Sequence, residues 1–154
     1  MGRNGRRHPI AVVASQFNGP ITQALVDGAL EVLQEAGVAR THIRVFRVPG
    51  AFELPVAAAT VAAALKPRAI VALGCLTKGE TPQYAAIGHA VAQGLAQVSV
   101  NERVPVGFGV IIADSVAQAK ARAGGPVGHR GREAALAALE MIEFAAALPR
   151  RRRG

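Results

Sequence analysis

The sequence predicts an α/β fold: three α/β/α layers around a four-stranded parallel sheet flanked by helices. Three observations predict it. Four short apolar runs alternate with segments of helical spacing. The third run, AIVALGCL, is apolar throughout, as a strand covered on both faces must be. Strands separated by whole helices return in parallel, through right-handed crossovers.

The first run, His8 to Ala14, is rich in Val and Ile and ends at Ser15-Gln16-Phe17-Asn18-Gly19-Pro20, a loop. Ile21, Leu25, Gly28, Ala29, Val32, Leu33 and Ala36 then recur at three and four residues, one face of a helix that Gly37 stops. Ile43 to Val48 is a second strand, ended by Pro49-Gly50, and Leu54 to Leu65 is a small-residue helix with Pro67 just beyond. Ala69 to Leu76 is the third strand. Thr81 as N-cap and Pro82 in the first helical position open a helix running to about Val98. Val104 to Ile112 is the fourth strand. Asp114 or Ser115 caps a helix that ends at Gly124-Gly125, and His129 to Leu148 is the last helix, stopped by Pro149.

A chain of 154 residues, 51% hydrophobic and 18% charged, has the composition of one domain with a packed core. Residues 1–8 read as a basic stub, 9–148 as a single domain and 149–154 as an Arg-rich tail. No apolar run reaches the roughly 18 residues of a membrane span, and Met1 to Pro9 lacks the apolar stretch of a signal peptide. The one cysteine, Cys75, excludes an intrachain disulfide framework. These features point to a cytoplasmic protein. The net charge of +8 belongs to the ends: without Arg3, Arg6, Arg7 and Arg150 to Arg153, 11 cations face 10 anions. Binding of nucleic acid is therefore open only through the Arg tails, by phosphate charge. One Tyr and no Trp supply little surface for stacking bases.

Ligands on such sheets bind beyond the carboxyl ends of the strands, here the loops 15–20, 49–53, 75–83 and 111–115. Phe17 and Asn18 follow the first strand, where an aromatic can stack on a flat ring or close the edge of the core. From that feature alone the core-edge reading is the stronger. Pro49-Gly50-Ala51-Phe52-Glu53 sets a carboxylate beside an aromatic; Glu53 can hold a polar ligand or favour a helix start. Lys78-Gly79-Glu80-Thr81 leads into a helix N-terminus, a ready anion site or an ordinary capped turn. Arg122 suits bidentate phosphate binding or the surface. His42, His89 and His129 show no metal spacing, and no metal is expected. Cys75 reads as a buried small residue.

In order, these segments resemble one family. Ala14-Ser-Gln-Phe-Asn18, Val48-Pro-Gly-Ala-Phe-Glu-Leu-Pro55, Ala72-Leu-Gly-Cys75, Lys78-Gly-Glu-Thr81, Pro105-Val-Gly-Phe-Gly-Val110, Gln118-Ala119 with Arg122-Ala-Gly124, and Glu133-Ala-Ala with Ala138-Leu-Glu-Met141 look like 6,7-dimethyl-8-ribityllumazine synthase over about residues 8–147. The resemblance implies a flavodoxin-like fold. It implies condensation of 5-amino-6-ribitylaminouracil with 3,4-dihydroxy-2-butanone 4-phosphate, without a cofactor, in riboflavin biosynthesis. Phe17, with Asn18 beside it, would stack on the pyrimidine, and the backbone of Cys75, Leu76 and Thr77 would read its edge. Ala51, Phe52 and Glu53 would hold the ribityl chain. Gly79, Glu80 and Thr81 would meet the butanone phosphate. Phe108 and Arg122, with Arg122 on the phosphate, would come from a neighbouring subunit of a homopentamer or a multiple of pentamers, and Arg130 would keep a nearby cation.

The chain also departs from that pattern. Gln83 stands where the family usually has a proton-transferring His, and an amide does not titrate near neutral pH. His89, six residues on, lies off the Gln83 face of a helix. Lys78 replaces a common Arg, Ile112 a common Thr, and His129-Arg130-Gly131 the usual Asn-Lys-Gly. The N-terminal segment is a short basic stub. The alternative to the synthase is an altered homologue that binds a flavin or ribityl ligand or acts on a related substrate.

Overall fold

The computed structural model describes residues 8–150; most of the basic stub (1–8) and of the Arg-rich tail (149–154) lies outside the described residues. The order is β1 (Ile10–Ser15), α1 (Gly19–Glu35), β2 (Ile43–Val48), α2 (Leu54–Leu65), β3 (Ala69–Thr77), α3 (Gln83–Glu102), β4 (Val106–Ala113), α4 (Val116–Ala121), β5 (Ala123–Gly125), β6 (Gly128–His129) and α5 (Arg130–Ala147). Short 3-10 turns at Arg40–His42 and Ala51–Glu53 precede β2 and α2. Strands β2-β1-β3-β4 form one parallel sheet in that order, and β5 pairs antiparallel with β6.

Alternation along the two central strands divides the core. Ile10, Val12 and Ala14 of β1, with Ala69, Val71, Leu73 and Cys75 of β3, pack with α1, α4 and α5. Ala11 and Val13, with Ile70 and Ala72, pack with α2 and α3 on the other face. Each fully buried Leu, Ile or Val contributes about 1.5–3 kcal/mol of transfer free energy. The outer strands differ. Arg44 and Arg47 project into solvent from β2, whereas Phe108 and Ile112 of β4 are exposed apolar side chains.

The expected strands and helices are present, with four corrections at their ends. Thr81 caps nothing: α3 starts at Gln83, with Pro82 in the cap position and no side-chain cap, and runs to Glu102 rather than Val98. Arg103, in a left-handed conformation, ends it. The helix after β4 is capped by Ser115, whose hydroxyl accepts from the Gln118 N–H at 3.1 Å, but it ends at Ala121. Gly124-Gly125 belongs instead to the β5–β6 hairpin, because Gly124 takes a positive φ that no helix continues. Ala36 is exposed: α1 stops at Glu35, one residue before its apolar face would come round again. The first and fourth strands begin two residues late, just after Pro9 and Pro105, which have no N–H for a ladder.

Glycines let α5 lie close to its neighbours. A Cβ on Gly131 would collide with the Leu25 carbonyl of α1, and one on Gly107 with the Ala134 carbonyl of α5. Both obstacles are backbone, which cannot swing aside. Gly107→Ala and Gly131→Ala are each expected to cost at least about 1–3 kcal/mol in urea unfolding, whereas Gly79→Ala, with open space at its Cβ, should cost well under that.

Candidate functional site

The parallel sheet brings the carboxyl ends of all four strands to one edge. Backbone bonds tie the loops there together. The Gln16 N–H donates to the Val48 carbonyl at 2.7 Å and the Phe17 N–H to that of Pro49 at 3.2 Å, so the β1 and β2 loops run side by side. Asn18 sits in a left-handed conformation that Asn tolerates, and its carbonyl accepts from Ile21 and Thr22 to start α1. Its side-chain amide donates to the Cys75 carbonyl at 3.0 Å, tying the β1 loop to β3. The Lys78 N–H donates to the Ala113 carbonyl at 3.0 Å, and the Tyr84 hydroxyl to Asp114 Oδ1 at 2.9 Å, joining the start of α3 to the end of β4.

Phe17, Asn18, Ala51, Phe52, Glu53, Cys75, Leu76 and Thr77 therefore share one rim. Phe17 is 65% exposed and Phe52 66% exposed. The expectation that Phe17 closes the edge of the core is thus corrected: the side chain is exposed rather than packed into the core. Gly79, Glu80 and Thr81 form an exposed turn ahead of α3, and Gln83 is exposed as its first residue. Underneath, Ala51 is buried. Gly74 leaves room there that a side chain would take: its Cβ would lie 3.1 Å from Ser15 Oγ and 3.2 Å from Leu54 Cδ1. Ser15, fully buried, finds no hydrogen-bond partner for its hydroxyl.

Three further expected site residues lie on other elements. Phe108 pairs with Ala72, three residues below the Cys75–Ile111 level, or about 10 Å along the sheet. It is 42% exposed at the open edge, over a hollow of about 230 Å³ with Ala92, Leu95, Ala96 and Ser99. Arg122 is the C-cap of α4, where its guanidinium donates to the Gln118 carbonyl at 2.9 Å. Arg130, at the start of α5, pairs with Glu133 at 2.6 Å. The rim is thus a shelf with exposed aromatics, a carboxylate and an anion-competent turn.

Sequence reasoning missed Ser15, the Tyr84–Asp114 bond and His129. The His129 ring accepts from the Arg132 N–H at 3.3 Å and lies where a Cβ on Gly28 would sit. A capping residue two positions before Glu/Arg-rich helical spacing was a usable signal for His129; nothing local marks a pair such as Tyr84 and Asp114, 30 residues apart. The bond to Asp114 raises the Tyr84 pKa from its ordinary value.

Burial pushes the Cys75 thiol up from about 9 to about 11, because the thiolate would lose its hydration inside the sheet. Between those values the folded chain holds a proton that the unfolded chain has released. This stabilisation is complete below pH 9 and is lost as pH rises toward 11. Unfolding titrations should show wild type losing on the order of 2 kcal/mol more than Cys75→Ala across that window; equal slopes would refute the assignment.

Comparison with known proteins bears on what this shelf serves. The family profile described as 6,7-dimethyl-8-ribityllumazine synthase matches residues 7–146. Proteins of that name resemble the chain over nearly all their length. One from Stenotrophomonas maltophilia (strain K279a) is 46% identical over 139 residues, 90% of each chain. One from Buchnera aphidicola subsp. Baizongia pistaciae is 43% identical over 136 residues, 88% of this chain and 86% of the relative. One from Pediococcus pentosaceus is 38% identical over 141 residues, 92% of this chain and 90% of the relative.

Proposed function

The chain belongs to the 6,7-dimethyl-8-ribityllumazine synthase family, and from that premise we propose how its residues do the family's work. It is a transferase of riboflavin biosynthesis that condenses 5-amino-6-ribitylaminouracil with 3,4-dihydroxy-2-butanone 4-phosphate. The observation that carries this is the match over residues 7–146, which spans every element of the shelf. It favours the synthase over an altered homologue.

In our reading, residues 9–148 form one catalytic domain. Phe17 stacks on the pyrimidine, and Asn18 steadies the Cys75 carbonyl beside it. The backbone of Cys75, Leu76 and Thr77 meets the polar edge of the ring. Ala51, Phe52 and Glu53 hold the ribityl chain, with the Glu53 carboxylate accepting hydroxyl hydrogen bonds. Gly79, Glu80, Thr81 and the free N–H groups at the start of α3 receive the phosphate.

In this reading a neighbouring subunit supplies a second wall to the shelf. Phe108 faces the ring there, Arg122 clamps the phosphate with its planar fork and Arg130 adds a nearby cation. Exposure of Phe17, Phe52 and Phe108 supports this sharing, as does the distance of Phe108 from the rim. The assembly is a homopentamer or a multiple of it, working in the cytoplasm. Among the described residues no helix is long and apolar enough to cross a membrane.

Much of the rate comes from holding the amine against the butanone carbonyl and stabilising departing phosphate. The proton transfers of imine formation, phosphate elimination and ring closure run through water and substrate groups. Gln83 can orient those groups but cannot itself exchange a proton at neutral pH.

Turnover followed by lumazine absorbance tests the reading. Wild type should turn over, with a rise of up to about 10²-fold in Gln83→His, where a titrating group is restored. Silence from both would overturn it. Phe17→Ala and Arg122→Gln should each lose on the order of 10²-fold. Refolding the two variants together should recover part of that loss if the site is shared, and recovery would be nil if each chain worked alone. Analytical ultracentrifugation should give a mass of five chains or a multiple of five.

A further inference from the structure

The opposite edge of the sheet, where the strands begin, carries a second concentration of polar groups. His8 enters β1 there, the turn 36–42 leads into β2, and Arg68 leads into β3. These three segments, far apart in sequence, line one hollow of about 400 Å³ with His8, Ala36, Gly37, Val38, Ala39, His42 and Arg68. The side chains of His8, His42 and Arg68 carry N–H donors that suit an anion, and no lining residue is a carboxylate.

We propose that this hollow is an anion site, separate from the substrate shelf, for an oxyanion of the phosphate type. Its backbone frame is set without a ligand. The Arg68 N–H donates to the Pro9 carbonyl at 2.9 Å, and the His42 N–H to that of Ala39 at 2.8 Å. Gly37 turns the chain at φ +88° and leaves open space at its Cβ position. The backbone that carries these donors therefore need not become ordered when an anion arrives.

Among the described residues lining the hollow, no acid competes for the donors. Glu35, next to Ala36, is held by Arg132 at 3.0 Å, and Arg40 turns away to donate to the Ile43 carbonyl at 3.1 Å. In sequence, residues 1–7 contain Arg3, Arg6 and Arg7 and no Asp or Glu. The next hollow along the same edge continues the sign: Lys66 and Arg103 line it, with Glu102 as its single carboxylate. Arg68 supplies a planar fork for two oxygens, and each imidazole offers a further N–H.

Calorimetric titration of the full chain with inorganic phosphate at low ionic strength tests the site. Two classes of phosphate binding are expected, one on the substrate shelf and one here. Arg68→Gln and His42→Gln should each weaken one class by roughly tenfold, with turnover and melting temperature unchanged. Arg122→Gln should spare that class, so failure of the shelf assignment and failure of this one remain distinguishable. A phosphate monoester that displaces inorganic phosphate from the Arg68-dependent class would identify an esterified ligand; failure to displace it would identify the free ion. Phosphate binding unaltered in both Arg68→Gln and His42→Gln would overturn the proposal.

Discussion

Double-sided burial of β1 and β3 is the constraint on which the rest of the molecule depends. Every residue of β1 is buried, and β3 is buried from Ala69 to Cys75. A strand covered on both faces has no solvent side to absorb a slip, because moving by one residue would exchange the two halves of the core. The register therefore holds, and the ends of the strands hold with it. Asn18 then needs only one amide bond, to the Cys75 carbonyl, to fix the first loop against the third. The placement of Phe17 beside the β2 loop follows from that bond and the two backbone bonds to the β2 loop.

How much of this was legible follows from the kind of signal each element leaves. Ile43–Val48 and Leu54–Leu65 were readable to the residue, because Pro and Gly punctuate both segments. Apolar runs marked the other strands to within two residues, Pro9 and Pro105 setting the difference. The β5–β6 hairpin was hidden, since Gly124-Gly125 reads equally as a helix stop and as a tight strand end. Thr81 misled because a good capping residue is not a cap until the chain turns there.

The site was legible as an ordered series of motifs more than as a set of chemical groups. Taken singly, Phe17, Glu53 and Thr81 each had an ordinary explanation, and Phe17 as a core-edge residue was the stronger one. Only exposure in the folded chain decides that case. The distance of Phe108 from the rim could not be read at all, because strand pairing sets it. Spacing along the chain does not.

The two outer strands also meet water on different terms. β2 carries Arg44 and Arg47, which discourage another strand from adding to that edge. β4, reading VGFGVIIA, has no charge and no proline along its length; Pro105 and Asp114 stand only at its borders. Such a segment is a template for unwanted β-pairing as long as its edge is bare. Of the two outer strands, β4 is thus the one more open to aggregation, and the strand that presents Phe108 is also the edge that gains most from being covered.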